Sequence, residues 1–204
     1  MATYIGTIYN DVYTGSAQNQ YGIDGADFLS PSSDNKAYYL YGGNGNDDLY
    51  GFSFNDELYG GSGKDLIVGL NGNDYIEGGS GNDMLYGSYG NDELSGGRGK
   101  DIFVFDTKLS SKNNLDTITD YDTSKDLIDL DKAIFTKIGK VGHTLKSNKF
   151  VVGNKAKDSK DRIIYNDDNG VLKYDPDGNG SKNAKKFAIL DSDLDMSHND
   201  FFVI

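Results

Sequence analysis

Several residue types are rare or missing in this sequence of 204 residues, and their absence excludes whole classes of chemistry. There is no cysteine, so disulfide bonds, thiol redox chemistry and thiolate metal sites are excluded. No apolar run is long enough to cross a membrane as a helix. The first residues, MATYIGTIYN, lack both a basic start and an apolar stretch. We therefore expect no cleaved N-terminal signal peptide.

Residues suited to catalysis are equally scarce. The only imidazoles are His143 and His198, which lie in different segments, and neither a GxSxG nor an HExxH motif occurs. We expect no catalytic residue and no enzymatic activity. A glycan-active enzyme that uses only carboxylates is the alternative that this composition leaves open.

The acidic charge is unevenly placed along the chain. The net charge is -12, and residues 1–104 hold 15 acidic and 4 basic residues, against 17 and 16 after them. A strongly acidic half repels the phosphate backbone of nucleic acids, so we expect no nucleic-acid partner. The acidic residues of this half are better explained as ligands.

Glycine is abundant, and its positions reveal a repeat of nine residues. Residues 42–104 divide without gaps into GGNGNDDLY, GFSFNDELY, GGSGKDLIV, GLNGNDYIE, GGSGNDMLY, GSYGNDELS and GGRGKDIFV. Every unit opens with glycine and has an apolar residue at position eight. Position six is always aspartate, at Asp47, Asp56, Asp65, Asp74, Asp83, Asp92 and Asp101.

This pattern predicts a loop followed by a short strand in each unit. Six residues of the GGxGxD type cannot form a helix, and the next three alternate outward, inward and outward. Two units would then make one turn of a flattened coil with the position-eight side chains inside. We expect an all-β fold, a parallel β-roll over 42–104, with an N-terminal cap over 1–41 and a β-rich cap over 105–204.

A core of one apolar residue per unit is too small to hold such a coil together, and stacked aspartates repel each other. A cation bound between successive loops would solve both problems. The loops offer carboxylates and glycine-exposed carbonyls, an all-oxygen set that suits Ca²⁺ and lacks nitrogen and sulfur ligands for zinc. Metal binding and folding would then be one equilibrium.

The nonapeptide resembles the RTX (repeats-in-toxin) family, the glycine- and aspartate-rich calcium repeats of secreted bacterial proteins. The resemblance covers residues 42–104 and implies about five to six Ca²⁺ ions between loops on the same edge. It implies carbonyl ligands from positions one and three of one loop and two and four of the next. Besides the repeat aspartates, the implied metal-site residues are Gly42, Gly43, Asn44, Gly45, Gly60, Gly61, Ser62, Gly63, Gly69, Asn71, Gly72, Gly78, Gly79, Ser80, Gly81, Gly87, Gly90, Gly97 and Gly99.

Odd and even units differ in two ways. The odd loops, which start at Gly42, Gly60, Gly78 and Gly96, keep GGxGxD, whereas the even loops carry Phe52, Phe54, Leu70 and Ser88 at glycine positions. We therefore expect the odd edge to bind Ca²⁺ more tightly. The odd strands also carry apolar residues on their outer face, at Leu66, Met84, Tyr86 and Ile102 among others. We expect residues after 105 to cover this face, and a partner protein is the alternative.

The first 41 residues contain degenerate copies of the unit at 6–14 and 22–30, with Asp11 and Asp27 at position six. Terminal repeats are often atypical because an open coil end must be capped. Asp27 is a candidate ligand for one further Ca²⁺ site with Asp47. An ordinary turn aspartate is the alternative.

After residue 105 the repeat stops and a different pattern begins. The segments 115–122 and 125–135 alternate as strands, and resemble the segment that follows the repeats in many RTX proteins. Their aspartates, Asp116, Asp120, Asp122, Asp126 and Asp129, are candidates to close the last calcium site. The alternative for each is a solvated surface position.

Residues 136–162 form a basic stretch with eight Lys and Arg residues, and most stretches of this kind are solvated. Binding to an anionic polysaccharide or to lipid headgroups is the functional alternative. Asp168-Asn169-Gly170 predicts a hairpin turn. The segment 175–180, DPDGNG, resembles the start of an EF-hand loop, but Lys186 stands where an EF-hand needs glutamate. We therefore predict a second hairpin turn there, and weak calcium binding is the alternative.

The last five residues place an acidic residue before four apolar ones: Asp200, Phe201, Phe202, Val203 and Ile204. This ending resembles the uncleaved C-terminal signal of proteins exported by type I secretion, and its partner would be that machinery. An apolar tail that docks into the core is the alternative. We expect a secreted, extracellular calcium-binding protein with a binding or structural role at the cell surface or matrix. A polysaccharide-binding module similar to those of alginate epimerases is the second hypothesis.

Overall fold

The computed structural model describes residues 2–31 and 36–204. Within them the chain forms strands and two short 3-10 helices, Ser147–Lys149 and His198–Asp200. No helix among these residues has the length and apolarity needed to cross a membrane. The strands are β1 (Thr3–Ile5), β2 (Val12–Tyr13), β3 (Asn19–Asp24), β4 (Phe28–Leu29), β5 (Tyr39–Asn44), β6 (Asp48–Ser53), β7 (Glu57–Ser62), β8 (Leu66–Asn71), β9 (Tyr75–Ser80), β10 (Met84–Tyr89), β11 (Glu93–Arg98), β12 (Ile102–Phe105), β13 (Asp116–Ile118), β14 (Leu127–Leu130), β15 (His143–Thr144), β16 (Phe150–Val152), β17 (Ile163–Asn166), β18 (Val171–Tyr174), β19 (Lys185–Ile189) and β20 (Phe201–Val203).

From β1 to β14, successive strands alternate between two sheets, so the all-β prediction and the parallel β-roll are confirmed. The first sheet has the order β1-β3-β5-β7-β9-β11-β13-β19-β18-β17-β16, and the second β15-β20-β14-β12-β10-β8-β6-β4-β2. Equivalent residues one turn apart pair in parallel, as Leu58 does with Ile76 and Leu49 with Ile67. Two nonapeptide units therefore make one turn of the coil.

The predicted division of each unit is wrong in one respect. The strands over the repeats span six residues, from position seven to position three of the next unit, and the turn takes only positions four to six. The second-position glycines pair with their equivalents one turn away, as Gly61 does with Gly79. Backbone amides inside the coil form hydrogen bonds with the neighbouring turn, because a buried amide without a partner is costly. The ladder therefore extends into the glycine positions.

The core of the coil is the predicted row of position-eight side chains, and it continues into the degenerate N-terminal units. Its members are at most 1% exposed: Leu29, Leu40, Leu49, Leu58, Ile67, Ile76, Leu85, Leu94 and Phe103. The division into three domains stays a prediction. Strands continue across both predicted boundaries, because residue 42 lies within β5 and residue 104 within β12.

Beyond β12 the same coil is closed by a larger aromatic core. The rings of Phe105 and Phe135 each lie 5.1 Å from that of Phe187, in edge-on geometry. Phe201 and Tyr165 are fully buried in the same cluster. Both predicted hairpins are confirmed: β17 and β18 pair antiparallel around Gly170, and β18 and β19 pair antiparallel across 175–184.

The predicted cover over the odd outer face differs from the structure. Residues after 105 extend the sheets edge to edge, with β14 pairing to β12 and β13 to β11. Leu66, Met84, Tyr86 and Ile102 keep intermediate exposure. The free edge of a parallel sheet has unpaired amides and carbonyls, and the C-terminal segment satisfies that edge. On the outer face it leaves these four residues half-buried, whereas Val104 is 4% exposed.

Candidate metal centre

The position-six aspartates are linked from turn to turn by hydrogen bonds to the backbone. In each bond the amide nitrogen of one aspartate donates to Oδ1 of the aspartate one turn later. The odd ladder consists of the bonds Asp11 to Asp27 (2.7 Å), Asp27 to Asp47 (2.7 Å), Asp47 to Asp65 (2.8 Å), Asp65 to Asp83 (2.9 Å), Asp83 to Asp101 (2.9 Å) and Asp101 to Asp126 (3.0 Å).

The opposite edge carries an even ladder of the same kind. It begins at the amide of Tyr38, which occupies an aspartate position, and its bonds run Tyr38 to Asp56 (2.6 Å), Asp56 to Asp74 (2.8 Å), Asp74 to Asp92 (2.8 Å) and Asp92 to Asp116 (3.2 Å). Each ladder thus joins predicted metal ligands with aspartates that lie outside the repeats.

The second carboxylate oxygen of these aspartates is buried and has no hydrogen-bond partner. This holds for Oδ2 of Asp27, Asp47, Asp56, Asp65, Asp74, Asp83, Asp92 and Asp101. Each of these residues is at most 2% exposed. A buried, unpaired carboxylate oxygen carries a penalty of several kcal/mol unless a cation compensates it. Eight such oxygens in two rows are the feature that a row of cations would satisfy.

Because each unit opens with glycine, which has no side chain, there is free space next to the Oδ2 atom of the aspartate. A Cβ added at Gly42 would lie 2.4 Å from Asp47 Oδ2 and 2.6 Å from the carbonyl oxygen of Gly60. The same arrangement recurs at Gly60 and Gly78. A carboxylate oxygen and a glycine carbonyl of the next turn therefore share one narrow space. This oxygen-only set fits Ca²⁺.

The other predicted ligands lie along the same gaps. The second-position glycines (Gly43, Gly61, Gly79, Gly97) and the fourth-position glycines (Gly45, Gly63, Gly72, Gly81, Gly90, Gly99) all have positive φ, and each stacks on a backbone carbonyl of the preceding turn. Third-position carbonyls accept amide hydrogen bonds, as Ser62 O does from Gly45 N at 2.7 Å. Such a carbonyl keeps one lone pair.

Within the described residues no three His, Cys, Asp or Glu side chains converge as a metal cluster. Each gap instead offers two aspartates, and the backbone must supply the remaining ligands. This is the ligand division that the nonapeptide predicts.

The even loops reach the same geometry at a cost. Phe52, Leu70 and Ser88, which replace second-position glycines, have φ of 88°, 76° and 72°. A left-handed backbone at a residue with a side chain costs about 1–2 kcal/mol. The structure thus gives a physical basis for the weaker even edge, whose relative affinity stays a prediction.

The aspartates after the repeats have different roles. Asp116 and Asp126 continue the two ladders, and Asp120 accepts hydrogen bonds from Gly96 N, Gly97 N and Ser95 Oγ. Asp122 is partly exposed and pairs with Lys125 at 2.6 Å. Asp129 is buried with an unpartnered Oδ1, outside both ladders. Only two of these five candidates therefore extend the metal-site pattern.

A ladder of asparagines was not anticipated from the sequence. The side-chain oxygens of Asn46, Asn55, Asn73, Asn82 and Asn91 accept a hydrogen bond from the position-five amide one turn later, at 2.7–3.0 Å. Its signal was present in the sequence as asparagine recurring at position five. These hydrogen bonds join successive turns beside the aspartate ladders.

Burial raises the pKa of the repeat aspartates, and neighbouring aspartates add to the effect in most of them. The pKa is about 8 for Asp56, about 7 for Asp65 and Asp74, and about 6 for Asp47, Asp83 and Asp92. Burial and the charge of Asp92 raise the pKa of Asp116 well above its ordinary value. Without a cation, the folded coil therefore favours protonated carboxyls.

The raised pKa values predict that calcium-free protein forms the folded β-roll at acidic pH. A carboxyl with a raised pKa in the folded state stabilises that state below its unfolded pKa, and the contribution disappears as the pH rises through the folded value. We therefore expect strand content, measured by circular dichroism, to be lost as the pH rises from about 4 to about 8. A strand signal that is unchanged over this range would contradict the burial of the aspartates.

Comparison with known families identifies the repeats. A model of the family described as RTX calcium-binding nonapeptide repeat (4 copies) matches residues 41–76, 50–85 and 77–106. Residues 41–106 match the RTX nonapeptide repeat. The RTX match agrees with the aspartates and glycines that line both edges of the coil, and RTX nonapeptide repeats bind calcium.

Matches to whole proteins add little. No curated protein matches the chain. Among solved structures, the AlgE6R3 subunit of the mannuronan C5-epimerase of Azotobacter vinelandii is 19% identical, with 97% of this chain and 80% of that chain covered, at a TM-score of 0.33. A TM-score this low does not establish a shared fold over the full length.

A second surface feature lies on the outer side of β16–β19. It is a lysine cleft of about 860 Å³ with an apolar floor that includes Ile164, Ala156 and Ala184. Among the described residues, none of its lysines pairs with a carboxylate. The lysines that line the cleft are Lys155, Lys157, Lys173, Lys182 and Lys186, together with one acidic residue, Asp175.

Proposed function

We propose that this chain is a secreted calcium-binding protein whose repeat region folds when it meets Ca²⁺ outside the cell. The observation that supports the proposal is the double row of buried, unpartnered carboxylate oxygens. Such a row is unstable in a folded protein without cations, and stable with them. Folding and calcium binding are then two sides of one equilibrium.

The proposed ions lie between successive turns. On the odd edge the gaps are Asp47 with Asp65, Asp65 with Asp83 and Asp83 with Asp101. On the even edge they are Asp56 with Asp74 and Asp74 with Asp92. Asp27 adds a sixth gap with Asp47, supported by its unpartnered Oδ2 and by the carbonyl of Gly42 beside it. When bound, calcium supplies the positive charge that these carboxylates lack.

The size of the effect matches the stability of a domain. A site at ten times its Kd stabilises the folded state by about 1.4 kcal/mol, so five to six such sites contribute roughly 7–8 kcal/mol. That equals the whole stability of many domains. Extracellular calcium modules bind at about 10⁻⁴ to 10⁻³ M, far above free calcium inside cells. The same chain would therefore stay uncoiled where it is made.

A calcium titration tests this switch. In chelator at pH about 7.5, well above the unfolded aspartate pKa, circular dichroism should show a largely disordered repeat region. Strand signal should appear cooperatively as calcium approaches about 1 mM. Magnesium is the matched control, because its small octahedral shell fits carbonyl-rich gaps poorly. A repeat region that melts cooperatively in chelator would remove the switch.

Export by type I secretion remains part of the proposal. It is supported by the Asp200–Ile204 ending, and the chain could pass a channel only while uncoiled. In the folded protein Phe201 and Val203 are fully buried in the second sheet. The docked-tail alternative therefore describes the folded state, and a signal in this segment would have to be read before folding.

A second function, binding of an anionic polysaccharide, is favoured by the lysine cleft. Five lysines without carboxylate partners attract uronate groups, and the apolar floor suits the C–H face of a sugar ring. The role would be non-catalytic binding at the cell surface or matrix. Binding of a polyuronate in calcium, weakened by Lys173→Glu, would support it.

A further inference from the structure

The even ladder continues past the last even repeat into a segment without the nonapeptide pattern. Asp92 N donates to Asp116 Oδ1 at 3.2 Å across 24 residues, where repeat partners are 18 residues apart. Asp116 is 3% exposed, although it follows a loop and is the first residue of a strand of only three residues. A buried carboxylate at such a place needs a physical explanation.

The segment around Asp116 reproduces the hydrogen bonds of a repeat with other residue types. Leu115 N donates to Asn91 Oδ1 at 3.0 Å, as Asn91 N does to Asn73 Oδ1 at 2.9 Å. Gly90 N, whose equivalent Gly72 N donates to a backbone carbonyl, donates here to the side-chain oxygen of Asn114 at 2.9 Å. The next two residues, Thr117 and Ile118, pair in register with Glu93 and Leu94. The segment 114–118 is therefore a repeat in space that is not one in sequence.

The gap between Asp92 and Asp116 has the same electrostatic defect as the repeat gaps. Asp92 Oδ2 is unpartnered and the residue is 2% exposed. Two buried carboxylates face each other there, and the only ion pair of the described residues is the exposed one between Lys125 and Asp122. A cation is the one missing component.

The odd ladder ends on a carboxylate with more backbone partners, although Asp101 Oδ2 is unpartnered there as Asp92 Oδ2 is at the even end. Asp126 Oδ1 accepts from Asp101 N, and its Oδ2 accepts from Asp122 N at 2.9 Å. Backbone amides therefore satisfy both oxygens of Asp126. At the N-terminal end, Asp11 Oδ2 likewise accepts from Thr7 N at 2.6 Å.

We propose that a Ca²⁺ ion binds between Asp92 and Asp116 and locks the C-terminal region onto the repeat coil. This inference rests on the proposed calcium binding of the repeats and adds a site outside them. Because β13 pairs with both β11 and β19, an ion at this gap holds the strand that joins the coil to the β16–β19 hairpins. Docking of the C-terminal region then requires calcium.

The test compares Asp116→Asn with Glu93→Gln in the full-length chain. Both variants remove one negative charge near the gap, but Glu93 is exposed. Bound calcium is counted by equilibrium dialysis at saturation, and hydrogen–deuterium exchange follows peptides covering 110–118 and 57–71 during a calcium titration. We expect Asp116→Asn to bind one ion fewer. Its protection midpoint at 110–118 should move about tenfold to higher calcium, with less than about a twofold change at 57–71. Glu93→Gln should match the unmodified protein.

Three outcomes would overturn the inference or separate it from the proposed function. Equal ion counts and equal midpoints in the two variants would overturn the site while leaving the repeat sites intact. Absence of calcium from the unmodified protein would remove the repeat sites as well. If Asp116→Asn does not fold, anomalous diffraction from crystals of the unmodified protein in calcium decides: peaks at the repeat gaps without one between Asp92 and Asp116 would overturn the proposal.

Discussion

Replacing Gly81 by alanine should disrupt the coil even in saturating calcium. Gly81 has a φ of 146°, and a Cβ there would lie 1.4 Å from the carbonyl oxygen of Gly63 in the preceding turn. Real Cβ atoms do not approach a backbone oxygen so closely, so two turns must separate. Separation breaks the parallel ladder and widens the gap between Asp65 and Asp83. We expect a loss of more than about 4 kcal/mol in the free energy of unfolding.

Gly142→Ala provides the matched control. Gly142 also has a positive φ, of 80°, but nothing lies within 4 Å of the added Cβ. Only the backbone strain remains, which costs about 1–2 kcal/mol. Urea unfolding of both variants in excess calcium measures the difference. Equal losses would show that the turns are not stacked as closely as the structure has them.

Truncating Phe201 to alanine should destabilise the C-terminal region by about 3–5 kcal/mol. The side chain is fully buried, its ring lies 5.5 Å from that of Phe150, and its backbone pairs with Ile128 of β14. Removal of the ring leaves a cavity in the aromatic core that closes the coil. Thermal or urea unfolding in calcium measures the loss.

Phe202→Ala tests the same strand on its other face. Phe202 has intermediate exposure and pairs with Asp129, so its truncation should cost less than about 1.5 kcal/mol. The contrast between neighbouring residues distinguishes a core strand from a loosely attached tail. Similar losses for both variants would contradict the packing of β20.

Because the period of nine is strict, sequence alone determined the repeat architecture and predicted calcium as its metal. Fixed glycine, aspartate and apolar positions leave one way to place each residue: glycine where turns touch, aspartate at the gap and the apolar residue inside. The two-sheet alternation and the buried row from Leu49 to Phe103 followed directly. In the degenerate N-terminal units, Asp27 was predicted on the same grounds and takes its place in the odd ladder.

Only the tertiary structure decided which residues outside the repeats join them. Five aspartates after residue 105 looked equivalent, because a carboxylate in a short polar segment has no local signal of its depth. Asp116 and Asp126 continue the ladders since β13 and β14 bring them into register across 24 and 25 residues, whereas Asp122 remains at the surface. The burial of Phe201 and the lysine cleft likewise depend on contacts between distant segments. Such contacts carry no period, so local residue chemistry could not predict them.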